Sequence, residues 1–578
     1  MSPVQVVNLI YLAQLSSVTA TGFMAQSMAQ AVGGTDKTVW YSSCITIMTV
    51  ALNPPISQAA DYWGRKPVLV AFALAGVVGS LIVSRAQSSG VIIAGFAIVG
   101  LGFACQSVAL AVLSEVLPRI HRPVAQASAG VASSLGGVMG LLLGGGLLRD
   151  GNLSRYRVFW YIEAGMYALA AVGCVVGYSP SPREVQVSLS TTEKLRRLDW
   201  VGYVLFPPAL ALFSMTLAWS DNPYSWSSAN ILGPFIIGVV AMVLFIIYEC
   251  RFTKDGMLHH GLWRNRNFPV SLVVILVEGL SFFAANSYFS YEITVVYDED
   301  ILSAATNFAI MFFTGLVGSP VFGFWSSKRK SLRPPLVLGG IFLLLFFILL
   351  ATVKIDTPRY VFWILPILPG IALASIVPLT MVSAQFAVSP ELVTLASALM
   401  TTVRSLGGAI GLAINNAVIN SSLNDELQRK VSAAVLPLGL PSSSLPALLD
   451  AVSSQRKDAA AEVPGGTPEI AQAAVAAMKR AYLSAFRNAW IVSAAFCGLM
   501  VICGFLIAIS RACQNSCLPR TACYFIVEQR AQFDTRIDAP VTAASVESQT
   551  LGSMSPAIES SFRERVDKGT AEHHEGGV

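Results

Sequence analysis

Three charged residues stand out inside long apolar runs, where a charge is costly and therefore informative. Glu278 lies near the middle of the run 268–290, and Arg404 lies within the run 394–418. At about 100° per residue, Phe282, Ala285 and Phe289 share the helix face of Glu278 to within about 40°. One carboxylate set among aromatic surface suits an amphipathic organic molecule or a proton; the same carboxylate could instead be half of a structural ion pair. Arg404 has Gly408, Gly411 and Asn415 on its face. It could pair with a carboxylate across a cavity, hold an anion, or snorkel to the membrane surface if its helix starts late. Glu163, in the outer third of the run 158–178, is the next carboxylate. Asn286 and Gln385 add polar capacity, which can also serve as glue between helices.

A second constellation is Asp61-Tyr-Trp-Gly64-Arg65-Lys66, between the second and third runs. An acid, a glycine turn and two adjacent bases suit a hinge: Asp61 can meet an arginine or a helix N-terminus, and Gly64 permits the tight turn. The plainer reading is a basic loop with an incidental acid. Enzyme chemistry has little to work with. The chain has no G-x-x-x-x-G-K-[ST] motif for a nucleotide triphosphate, no zinc-ligand spacing and no nucleophile elbow. Its five histidines, His121, His259, His260, His573 and His574, fall in loops or the tail. No catalytic residue, metal or cofactor is expected.

The elements that must hold these residues follow from composition. Of 578 residues, 54% are hydrophobic and 12% charged, with mean hydropathy +0.63. Soluble domains carry roughly 25% charged residues, so a water-soluble fold, a nucleic-acid binder and a disordered scaffold are excluded. A net charge of +5 is too small to imply an acidic partner, and nine cysteines spread through apolar runs are no secreted disulfide framework. A membrane crossing takes about 20 apolar residues. Fourteen runs qualify, near 4–23, 40–60, 67–85, 90–113, 124–147, 158–178, 200–219, 230–249, 268–290, 304–325, 335–353, 358–385, 394–418 and 488–510. The first has no cleavage pattern and reads as a retained helix. With the N-terminus placed inside, the inward short loops hold sixteen Lys and Arg and the outward ones seven. That asymmetry fits the positive-inside rule and puts both termini in the cytoplasm.

Residues 419–487 read as a long outward loop with helical patterning, and 511–578 as a disordered cytoplasmic tail. Cys513, Cys517 and Cys523, just past the last run, could be palmitoylated or bind metal, or be plain juxtamembrane cysteines. Asn152 and Asn420 head glycosylation sequons on the outward side, close to the membrane.

These motifs resemble a known family. Asp61-x-x-Gly64-Arg65-Lys66 is similar to the signature loop of the major facilitator superfamily, with Ser57 where that motif opens with Gly. Gly136-x3-Gly140-Leu141-x2-Gly144-Gly145 resembles the superfamily's antiporter motif, with Leu141 in place of its proline. Without the resemblance, the same spacing puts small residues on one helix face for close packing. Further pieces are Glu115-x-x-Pro118-x3-Arg122, Asp255 to His260, Arg266-Asn-Phe-Pro269, Val277-Glu-Gly279, Phe282 to Asn286, Arg404 to Gly411 and Ala481 to Arg487. Over residues 10–510 they look like the fungal fourteen-helix branch that contains trichothecene efflux pumps and siderophore transporters. Phe96 stands where many superfamily drug antiporters carry a proton-relay arginine.

The resemblance implies an all-α polytopic bundle: a six-helix half over 1–180, two inserted helices and linkers over 181–260, and a second half over 261–510. The basic loop Lys328-Arg-Lys330 falls where the second half would repeat the first constellation, without its Asp and Gly. The implied function is proton-coupled export of a small organic molecule, a fungal secondary metabolite or toxin. Its partners would be that substrate, protons and the lipid bilayer, with no nucleic acid. The chain would act as a monomer in the plasma membrane, the vacuolar membrane being the other candidate. Siderophore-iron uptake by proton symport, and a non-transporting membrane sensor, stay open.

Overall fold

The computed structural model describes residues 2–512, apart from 35–36, 38, 151, 181–183, 189, 220–225, 254–255, 300, 442–443 and 454–466. Asp255, Cys513, Cys517, Cys523, His573, His574 and nearly all of the expected tail thus lie outside the described residues.

Apolar chain in hydrocarbon must satisfy its own backbone hydrogen bonds, and the runs accordingly become helices, with no strand among the described residues. The first half holds α1 (Pro3–Val32), α2 (Val39–Trp63), α3 (Arg65–Arg85), α4 (Ser89–Phe103), α5 (Gln106–Val116), α6 (Arg122–Leu148) and α7 (Tyr156–Gly177). Two short helices, α8 (Glu184–Ser188) and α9 (Thr191–Arg197), precede the inserted pair α10 (Trp200–Trp219) and α11 (Ala229–Arg251). The second half holds α12 (Asn267–Tyr297), α13 (Ile301–Arg329), α14 (Arg333–Thr352), α15 (Tyr360–Ile364), α16 (Ile367–Phe386), α17 (Val393–Val435), α18 (Leu445–Ser453) and α19 (Pro468–Ala512).

Thirteen helical spans are long and apolar enough to cross a membrane. The expected second span, α2, is a 25-residue helix that is not among them, because Asn53, Pro54, Pro55, Ser57 and Gln58 dilute its apolar character. Three other runs differ in detail. The run 90–113 breaks into α4 and α5 at Ala104 and Cys105, where the Ala104 N–H turns to the carbonyls of Gly100 and Leu101. The run 358–385 breaks at Leu365–Pro366, since proline cannot donate to the helix ladder. Much of 419–487 is helix: α17 runs on to Val435, and α19 starts at Pro468.

The helices pack both within and across these two sets. In the first half α1 lies on α6 and α7, and α3 on α4 and α7; in the second, α12 lies on α17 and α19, and α14 on α16 and α19. The halves meet through α6 against α13 and α2 against α17, while α10 pairs with α11 and leans on α2. The α6 glycines allow one of these close approaches. A Cβ at Gly140 would lie 2.6 Å from the Ser16 carbonyl oxygen, and one at Gly136 would strike the backbone of Leu12. Gly144 faces Met24 on α1, and Gly145 faces Leu302 on α13. Leu141, in the proline position, is buried in the core between the halves.

Candidate functional site

Glycine also brings together the two helices of the candidate site. A Cβ at Gly279 would meet the Arg404 carbonyl, one at Gly407 the Leu276 carbonyl, and one at Gly411 would lie 2.8 Å from Leu280 Cα. Bare backbones therefore bring α12 and α17 into contact, which fixes Glu278 opposite Arg404. Arg404 Nε donates to Glu278 Oε2 at 2.6 Å, and Nη2 donates to Oε1 at 3.0 Å. Such a bidentate pair is among the stronger polar contacts a protein makes. The guanidinium carbon sits 4.9 Å from the Phe282 ring centre, so the cation also rests on an aromatic face.

The pair stands at the wall of a pocket between the two halves, with both Arg404 and Phe282 in its lining. The Glu278 side chain is 3% exposed and that of Arg404 20%. The acid is thus screened by its partner, and the arginine faces the space. Apolar walls come from both halves, including Leu15, Leu110, Phe312 and Met381; Tyr11, Gln106, Gln126, Ser133 and Thr401 supply polar groups.

The other residues singled out from the sequence lie elsewhere. Glu163 is fully buried between α7 and α1, where Ser16 and Ser17 donate to its two oxygens at 3.0 and 2.8 Å. It does not line the cavity. Phe289 packs in the core of the second half, its ring 5.8 Å from Phe308 and 6.0 Å from Phe346. Gln385 bridges the halves, accepting from Ser114 Oγ at 2.5 Å and donating to Ser397 Oγ at 2.9 Å. Asn286 is half-buried on α12, with its amide nitrogen toward Gly22 of α1. Phe96 is fully buried against Trp160 and Tyr41, so an aromatic cluster fills the position of the relay arginine. Asn152 is exposed and caps the turn Leu153–Arg155. Asn420 is half-buried inside α17 rather than in an open loop.

The hinge constellation closes one end of the bundle, the end that carries the chain's N-terminus. Gly64 adopts φ +96°, a value that favours glycine, and turns the chain from α2 into α3. Arg65 forms ion pairs with Asp61 and with Glu115 of α5, and its Nη2 donates to Thr394 Oγ1 at 2.7 Å. Thr394 donates to Asp61 Oδ1 at 2.9 Å. Since Thr394 begins α17, this network ties the halves together. Asn53 also donates to Thr401 across the halves at 2.8 Å, as Ser114 does to Gln385. Lys66 instead donates to the Val175 carbonyl within the first half. Ser57, in the glycine position of the hinge motif, turns its hydroxyl to the Pro54 carbonyl at 2.7 Å.

Sequence reasoning missed several of these groups. Tyr11, Gln126 and Thr401 are uncharged, and nothing in their spacing marks them as cavity-facing. Glu292 was findable as a third carboxylate, but it lies beyond the run drawn to residue 290. It is buried on α12, accepting from Trp490 Nε1 at 2.8 Å, and its other oxygen has no hydrogen-bond partner among the described residues.

A helical bundle in two halves, with a cavity between them and an acid–base network across one end, defines a membrane transporter. The family profile described as Major Facilitator Superfamily matches residues 7–412, and the chain belongs to that superfamily. Among its relatives, the trichothecene efflux pump TRI12 of Fusarium sporotrichioides is 23% identical over 497 residues, 82% of this chain and 81% of that one. The MFS transporter L2 of a Phoma species is 23% identical over 86% of this chain and 79% of its own. The efflux pump mlcE of Penicillium citrinum is 30% identical over 36% of this chain and 39% of its own. The human organic anion transporter MFSD10 shares the fold at TM-score 0.52 with 14% identity, over 87% of this chain and 98% of that one.

Proposed function

We propose that this chain is a secondary transporter that exports a small organic molecule, a fungal secondary metabolite, in exchange for protons. The observation that carries the reading is the Glu278–Arg404 pair at the wall of the cavity between the halves. A carboxylate there can hold its charge beside a cation or take up a proton when the cation turns elsewhere. Exchange between those states is what coupling to a pH gradient requires. The Asp61–Arg65–Thr394 network then acts as the latch that seals the cytoplasmic end and opens in the other half of the cycle. The relatives named as efflux pumps support the outward direction.

The test uses the full chain in sealed vesicles, with a trichothecene and a ferric siderophore offered in parallel. Export predicts that the trichothecene moves against an imposed pH gradient, stops on adding a protonophore and needs no ATP. Movement that requires ATP, or of the siderophore alone, overturns the proposal.

A further inference from the structure

The cavity's charge layout restricts what can occupy it. Among the described residues that line it, Arg404 is the one charged side chain; the others are apolar, hydroxyl or amide. Its counter-charge, Glu278, is 3% exposed and lies behind it. A positively charged molecule would therefore meet a guanidinium first and reach no acid. A negatively charged one would meet a guanidinium whose charge Glu278 already holds through two hydrogen bonds. The cation would give up its hydration without a partner, and the anion would gain little net attraction from a guanidinium already neutralised by Glu278, a heavy cost in apolar surroundings. Yet the pair does not use all the donors of Arg404. Only Nε and Nη2 donate to Glu278, and a guanidinium carries five N–H groups.

We propose that the cavity selects uncharged, largely apolar molecules that present hydrogen-bond acceptors such as carbonyl, ester or ether oxygens, and that it discriminates against organic cations. This substrate class rests on the transporter reading above. The spare N–H groups of Arg404 hold the acceptor, and Phe282, Phe312 and Met381 cover the hydrocarbon.

The experiment measures equilibrium binding to the purified full chain with three probes built on one ring system: fluorenone, fluorene-9-carboxylate and a trimethylammonium fluorene. Fluorenone binds at least tenfold tighter than the ammonium probe, with the carboxylate also weaker than the ketone. Arg404→Gln strips Glu278 of its counter-charge, so the ammonium probe then binds as tightly as fluorenone or tighter. The double variant Glu278→Gln with Arg404→Gln removes both charges; it restores the ketone's lead and controls for folding. Ammonium binding to the wild type as tight as the ketone, an order unmoved by Arg404→Gln, or no probe binding at all overturns the proposal. The readout does not need flux. Ordered binding without movement across vesicles would refute the transport reading while supporting this one, and equal binding with flux intact would refute this one alone.

Discussion

Cutting the Glu278–Arg404 pair from its two sides has unequal consequences, because the partners are unequally buried. Arg404→Gln leaves a carboxylate of 3% exposure with no cation beside it. Taking one partner from a buried pair destabilises a protein by about 3–5 kcal/mol, whereas replacing both is close to neutral. Glu278→Gln leaves an arginine that is 20% exposed and can be hydrated through the cavity. Its cost is nearer that of a lost charge-assisted hydrogen bond, about 1.5–3 kcal/mol. The purified single variants, the double variant and the wild type are compared by melting temperature in one detergent. The expected order is wild type close to the double variant, then Glu278→Gln, then Arg404→Gln. A double variant that loses the sum of both singles would refute the reasoning, because independent sites add and coupled ones do not.

Three further expectations concern the frame around the pair. Asp61→Asn and Arg65→Ala abolish flux but leave surface abundance largely intact, since they act on the latch across α2, α5 and α17; flux assays beside surface labelling check this, and normal flux in both reduces the motif to an orientation signal. Gly140→Val drives a side chain into the Ser16 backbone 2.6 Å away, which costs about 1–3 kcal/mol or more of overpacking and lowers both melting temperature and surface level. Glu163→Ala takes from Ser16 its carboxylate acceptor and leaves Ser17 only the longer bond to Tyr167 Oη at 3.4 Å, a loss of about 1–3 kcal/mol, while Glu163→Gln keeps one acceptor oxygen and melts closer to the wild type.

The spans were legible because hydrocarbon imposes one requirement, a long apolar stretch, that composition reports directly. What composition could not report was where helices outrun the membrane. Residues 419–435 and 468–487 are polar enough to read as loop, yet they continue α17 and α19. The break at Ala104–Cys105 has no proline to announce it. At the site, Glu278 and Arg404 stood out by their cost in an apolar run. Their pairing depends on Gly279, Gly407 and Gly411, whose spacing signals a close approach without naming the helix approached. Helical periodicity put Phe289 on the face of Glu278. It cannot say how far the cavity extends along that face, and about three turns on α12 are enough to bring Phe289 into the core against Phe346. The uncharged lining residues needed the other half of the bundle to become visible.

The central claim is that Glu278 couples transport to protons. Its most direct test is net flux in vesicles against imposed pH difference, for the wild type and for Glu278→Gln, with a probe that wild-type vesicles carry. The carboxamide holds a fixed, uncharged state. The variant therefore still binds the probe, while its net flux no longer responds to the pH difference. A variant that keeps the wild-type dependence on pH would contradict it and make Glu278 a structural residue.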